Sequence, residues 1–301
     1  MTLSAEEPGD LPEAAVRRFA EGAFTSGLTV PDFAACQQMG LEPVGFTQGY
    51  CVMQWQFYGT SPFGMGGFGG QSGIRGYNET FSCPHGMVSG EHRAWGQNYE
   101  QAWVQDAWTT GFTTAYERMV EEAASGGAHG IVGVVDASGP LADMGVVEFR
   151  IQGTAVRVID GQAPADGRPW TTYLAGQRLT KLVEAGYAPV SIAASVASVR
   201  QWANCVTQYL TEGSNSMYGG ITQGAEIVQT VKAQTVARQL ATDGIKRQLA
   251  GDSLHGAALS TVQRNLGEGD VEIECVLRGN RVRRFKPFDP MPSPRPTVRL
   301  L

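Results

Sequence analysis

The sequence predicts an α+β chain built from two tandem β-α-β-β modules, each a small antiparallel sheet with one long helix. Three observations carry the expectation. A length of 301 residues suits about two domains. Short motifs recur in the same order in both halves, the signature of a duplicated unit. Between the motifs, apolar residues switch from a period of two to a period near 3.6 and back, the alternation of strands with one helix.

The repeat comes first. Met39-Gly40-Leu41-Glu42-Pro43-Val44 recurs as Ala185-Gly186-Tyr187-Ala188-Pro189-Val190, each after an amphipathic stretch and before an alternating one. Further on, Gly126-Gly127-Ala128-His129-Gly130-Ile131 aligns with Asp252-Ser253-Leu254-His255-Gly256-Ala257. In the same frame Glu148, Gly153 and Val156 fall on Glu274, Gly279 and Val282.

Each copy then resolves into elements. Val44, Phe46, Tyr50 and Val52 stand at strand spacing, as do Val190, Ile192, Ala194 and Val196. Ala102, Trp103, Phe112, Ala115, Met119 and Ala123 stand near helical spacing in a predicted helix over 98–125, and 225–250 is its counterpart. Gly126-Gly127 suits a left-handed helix end. A strand is expected over 131–135, a turn at Gly139-Pro140, and a last strand over 146–158 with Val147, Phe149, Ile151 and Ala155 on its apolar face. In copy two the middle strand, 257–263, is more polar. In its last strand Ile273, Cys275 and Leu277 alternate with Glu272, Glu274 and Arg278. The expected division is an N-terminal extension over 1–27, a first module over 28–160 with a Gly-rich insertion at about 57–97, a linker over 161–169, a second module over 170–285 and a Pro-rich tail over 286–301, with proline recurring from Pro287.

Composition narrows the function. A net charge of -6 with scattered basic residues argues against nucleic acid as a partner. No stretch approaches the roughly 18–20 apolar residues of a membrane span, and an N-terminus that is acidic before it is apolar does not read as a signal peptide, so a cytoplasmic protein is expected. Five widely spaced cysteines without a C-x-x-C pair suit reduced thiols. Rich alanine, glycine and arginine usage with four lysines fits the coding bias of a high-GC bacterium.

The strand Ala128-His129-Gly130-Ile131-Val132-Gly133-Val134 and the piece Ile151-Gln152-Gly153-Thr154-Ala155-Val156 resemble the closing strands of the YbjQ-like family, which carry GA-x-A-(I/V)-V-G-V and a terminal G-T-A-V. The resemblance covers roughly 40–158 outside the glycine loop. Over 186–284 it is fainter, with Asn280 and Arg281 where threonine and alanine are expected. It implies a dodecin-like β-α-β-β subunit, a divergent second copy and assembly into a pentameric ring; the alternative is that the two copies pair only with each other, giving a compact monomer. The family is often labelled heavy-metal-binding.

Candidate sites are few. Cys83, His85 and His92 put one thiol and two imidazoles within ten residues, a donor set that suits zinc or copper; an ordinary packed loop is the alternative, and the primary expectation is no cofactor. His129 and His255, at matched places in the repeat, suggest capping of helix-end carbonyls, with a ligand role as the alternative. Glu148 and Glu274 would be solvated, or would line a ring lumen. The loop around Phe63-Gly64-Met65 lacks the Lys-Ser/Thr pair of a phosphate cradle and suits docking on a partner. The tail from Arg281 onward reads as an extended arm, solvated or recruiting a protein partner. Trp55, Phe57, Tyr58, Trp95, Trp103 and Trp108 suit core or interface. With no catalytic triad, carboxylate pair or nucleotide fingerprint, the expectation is a non-enzymatic, homo-oligomeric scaffold or binding protein. The alternatives are a metal or small-ligand binder with sites in loops or between modules, and an enzyme with an interfacial active site.

Overall fold

A computed structural model describes residues 25–54, 81–82, 88–89, 94–141, 146–159, 161, 164, 166–211 and 226–287. The chain opens with helix α1 (Val30–Gln38), started by Thr29, whose hydroxyl accepts from the Asp32 amide, and by Pro31 in the first turn. Strand β1 (Leu41–Gln54) follows. Two short strands, β2 (Phe81–Ser82) and β3 (Val88–Ser89), pair with each other. Strand β4 (Asn98–Glu100) leads into helix α2 (Ala102–Ser125), roughly 36 Å long at 1.5 Å per residue. Then come β5 (Gly130–Asp136), β6 (Gly139–Leu141) and β7 (Val146–Val158).

The second half runs through β8 (Trp170–Thr171), α3 (Gly176–Glu184), β9 (Tyr187–Gln201), α4 (Cys205–Thr211), α5 (Val228–Leu249), β10 (Ser253–Gly267) and β11 (Asp270–Arg284). One sheet has the order β1-β7-β5-β8, with β6 added alongside β7; the other has β10-β11-β9-β4. The last long strand therefore lies between the first and the middle one in both sheets. Each half also has a short helix before its first strand.

The registers match across the halves. Phe46, Thr154 and Val132 lie side by side in the first sheet; Ile192, Asn280 and His255 do so in the second. Both middle strands then bulge at a glycine with positive φ, Gly133 (61°) and Gly256 (64°), a backbone state that disfavours any Cβ. The counterpart of His255 is thus Val132, and the sequence alignment of His255 with His129 is overturned. The helix-to-strand turn is shorter in the second half, which a match of residue identities could not register.

The layers are sheet, α2, sheet, α5. Helix α2 buries Trp108, Phe112, Ala115, Met119 and Ala123 between Cys51, Phe149 and Ile151 of the first sheet and Ile192, Ala194, Val196 and Val276 of the second. Trp108 stacks on Phe112 with ring centroids 4.9 Å apart. β1 crosses α2 at Gly49, where an added Cβ would come within 1.6 Å of the Ala115 carbonyl oxygen. Below the second sheet, Ala233, Ala237, Ala241 and Ile245 of α5 pack on Ala197, Val199, Ile273 and Cys275. A third cluster joins Cys36, Leu41, Val132, Val156, Leu179 and Leu182 under α1 and α3.

Several expectations need correction. Gly139-Pro140 is not a turn but part of β6, paired with Glu148 and Val147. The polar face read for the second sheet's last strand is covered in part by α2 through Val276. Arg281 to Arg284, read as the start of the tail, complete β11. Trp103 is exposed, whereas Trp108 is core.

Candidate functional site

The two halves are joined by a strap, Trp170 to Leu174, laid parallel along the free edge of β5. Its amides and carbonyls complete the ladder: Trp170 N donates to the His129 carbonyl (3.2 Å), Thr172 N to Ile131 O (3.0 Å), Gly133 N to Leu174 O (3.0 Å) and Val134 N to Thr172 O (3.0 Å). Side chains fix it to β9 and β11 of the second sheet. Thr171 Oγ1 accepts from Ile192 N at 2.8 Å and lies 3.0 Å from the Tyr116 hydroxyl. Asn280 Oδ1 accepts from both the Thr172 hydroxyl and the Tyr173 amide, each at 2.8 Å, while its amide group donates to His255 O (3.2 Å). Trp170 covers Gly130, where a Cβ would stand 2.2 Å from the ring.

Charge also crosses this seam. Asp136 on β5 pairs with Arg278 on β11 at 2.8 Å, its side chain only 2 % exposed, and receives the amide and hydroxyl of Ser138. Burial pushes the Tyr173 phenol far above its ordinary pKa, and the Asp136 carboxylate adds to the shift. Burial likewise raises Tyr116, against the pull of its bond to Thr171 and of Arg168. A shallow open groove lies elsewhere, between α1 and α3, lined by Pro31, Gln38, Gln177, Thr180, Lys181 and Glu184.

Among the described residues no strap lies along the equivalent edge of the second sheet, β10. Nearly every residue of its fifteen is exposed, on both faces, whereas β5 is largely buried. Leu259, Val262 and Leu266 are 44 %, 48 % and 43 % exposed along it. A long, partly apolar edge with open backbone groups is a template for pairing with another chain. No predicted site residue marks this feature, because exposure of a strand edge is a tertiary property.

Among the predicted residues, Cys83, His85 and His92 lie outside the described residues, as do the glycine loop and the tail beyond Pro287. Among the described residues no group of three His, Cys, Asp or Glu could hold a metal. His129 does not cap helix carbonyls: its Nδ1 accepts from the Val158 amide at 3.2 Å, pinning β5 to the end of β7. His255 is exposed on β10. Glu148 lies 3.7 Å from Arg150, and Glu274 lies 3.2 Å from Arg264. No described helix is long and apolar enough to cross a membrane.

The described residues form an α+β architecture whose second sheet ends in the β10 edge. No family model matches the chain. It is similar to an encapsulin nanocompartment protein of Mycobacterium tuberculosis, with 26 % identity over 272 residues that span 88 % of this chain and 87 % of that protein.

Proposed function

We propose that the chain is a non-enzymatic, homo-oligomeric scaffold component of a protein nanocompartment in the bacterial cytoplasm, built from two diverged copies of a YbjQ-like module and closing into rings of five chains. The observation that carries the reading is the uncovered β10 edge, fifteen residues long and exposed on both faces. Leaving such an edge in water invites uncontrolled pairing, and closing a ring removes it. The similarity to a nanocompartment protein along nearly the whole of both chains points the same way. The five-fold number comes from the family resemblance. Zinc or copper at Cys83, His85 and His92 belongs to the alternative, metal-binding reading.

Light scattering on the purified full chain, followed by electron microscopy of the same peak, tests the proposal. The expected mass is about five times the 32.2 kDa chain, with ring-shaped particles. A single-chain mass at working concentration refutes it.

A further inference from the structure

We infer that the β10 edge is covered by Thr25 to Leu28 of a second copy of this chain, in the register in which Thr171 to Leu174 cover β5 within the chain. This deepens the proposed homo-oligomeric reading and rests on it.

The two segments are counterparts in sequence: Phe24-Thr25-Ser26-Gly27-Leu28 precedes α1 as Trp170-Thr171-Thr172-Tyr173-Leu174 precedes α3. They are also counterparts in how they hold their own modules. Thr171 Oγ1 accepts from Ile192 N, and Thr25 Oγ1 accepts from Phe46 N at 3.3 Å. Tyr173 N donates to the side chain of Asn280, and Gly27 N donates to the hydroxyl of Thr154 at 3.1 Å. Phe46 and Ile192, like Thr154 and Asn280, occupy matching places in the two sheets.

What differs is the outer side. Thr171 and Thr172 are wholly buried because β5 lies against them; Thr25 and Gly27 are exposed. The chain therefore carries one strap already seated and a second with its outward backbone open. It also carries two middle strands, one strapped and, among the described residues, one bare. The free strap sits on the first sheet and the bare strand is the edge of the second sheet, so the pair completes itself head to tail between copies.

The internal seam supplies the register. Ser253, Leu254, Gly256 and Ala257 correspond to Gly130, Ile131, Gly133 and Val134, as the pairing with β11 and β7 and the shared bulge require. Transferring the internal bonds, Ser26 N of the neighbouring copy donates to Leu254 O, Gly256 N donates to its Leu28 O, and Ala257 N donates to its Ser26 O. Leu254 then lies opposite Thr25 of the neighbour, as Ile131 lies opposite Thr171. The interface is heterologous: each copy gives a strap at one end and receives one at the other.

The test is directed cross-linking in the full chain. Directly paired strand residues fall within the Cα separation a disulfide spans. The four described cysteines, Cys36, Cys51, Cys205 and Cys275, are buried. A variant carrying both Thr25→Cys and Leu254→Cys should give, on mild oxidation, a ladder of linked chains on non-reducing gels. A mixture of the two single variants should stop at linked dimers, because each chain then offers one half of the bond. Ala257→Pro, which removes the outward amide at the bulge, should lower the assembly mass with an unchanged far-ultraviolet dichroism spectrum. A double variant that assembles with wild-type mass yet forms no link overturns the register while leaving the oligomeric reading intact. Self-linking of a single variant overturns the head-to-tail arrangement, and a wild-type chain that is a monomer removes both readings together.

Discussion

Replacing Asn280 tests whether the strap is a structural clamp or a passive tether. Asn280 is 2 % exposed and takes two hydrogen bonds on one oxygen, from the Thr172 hydroxyl and the Tyr173 amide. Asn280→Ala leaves the Tyr173 amide unmatched in a packed seam, and an unsatisfied buried group costs about 1–3 kcal/mol. The Thr172 hydroxyl loses its acceptor too, although it still accepts from Leu174 N at 3.1 Å. The freed His255 carbonyl sits on an exposed strand, where water replaces the lost donor. The expected loss is on the order of 2–4 kcal/mol, most of it from the two donors. Asn280→Thr is the informative companion, because the matching place in the first sheet is Thr154, whose hydroxyl accepts from Gly27 N. It should recover roughly half of the loss. The assay is urea unfolding at one fixed protein concentration, since assembly makes apparent stability depend on concentration. An alanine variant within about 0.5 kcal/mol of wild type, or a threonine variant worse than alanine, would refute the clamp.

Other outcomes follow from the same geometry. Gly49→Ala places a Cβ 1.6 Å from the Ala115 carbonyl oxygen, a backbone atom that cannot swing aside; α2 must lift from β1, and a loss of roughly 3 kcal/mol or more is expected in the same urea assay. Asp252 bonds to Arg281 Nε (2.6 Å) and Arg283 Nε (2.9 Å), and the Arg283 bond leads in holding its carboxyl below the ordinary value of 3.8. Its stabilisation is therefore present above that value and lost as pH falls through the depressed one, so unfolding midpoints of wild type and Asp252→Asn should differ at neutral pH and converge in acid. Metal analysis of the purified assembly should find less than one zinc or copper per chain; a stoichiometric metal that disappears in Cys83→Ala would shift the reading to a metal-binding protein.

Much of the fold was legible in the chain. Alternation along 147–151 anticipated the inward face of β7, with Phe149 and Ile151 buried and Arg150 exposed, but Thr154, read as polar-face, is buried, because Gly153 to Val156 are covered on both sides. The long helices were visible for the corresponding reason, although Trp103 turned outward while Val104 and Trp108 turned inward, since α2 has sheets on two sides and its apolar stripe is broad. The short helices α1 and α3 showed only as amphipathic stretches. The residues shared between the two halves do stand at the starts of β1 and β9, yet His129 and His255 misled. A shortened turn displaces identities from places, and only the ladder with β7 and β11 restores the match.

By itself the sequence determined the local alphabet: which segments alternate, which wind, and where glycine lets the backbone turn left. Those properties depend on neighbours within a few positions. Tertiary structure decided which strand edge is covered and which is bare. Thr171 and Thr25 are the same residue in the same local setting, and one is buried while the other is exposed. The difference lies in a strand that one of them meets and the other lacks, and the closure of a ladder is settled by chain segments distant in sequence rather than by the residues that form it.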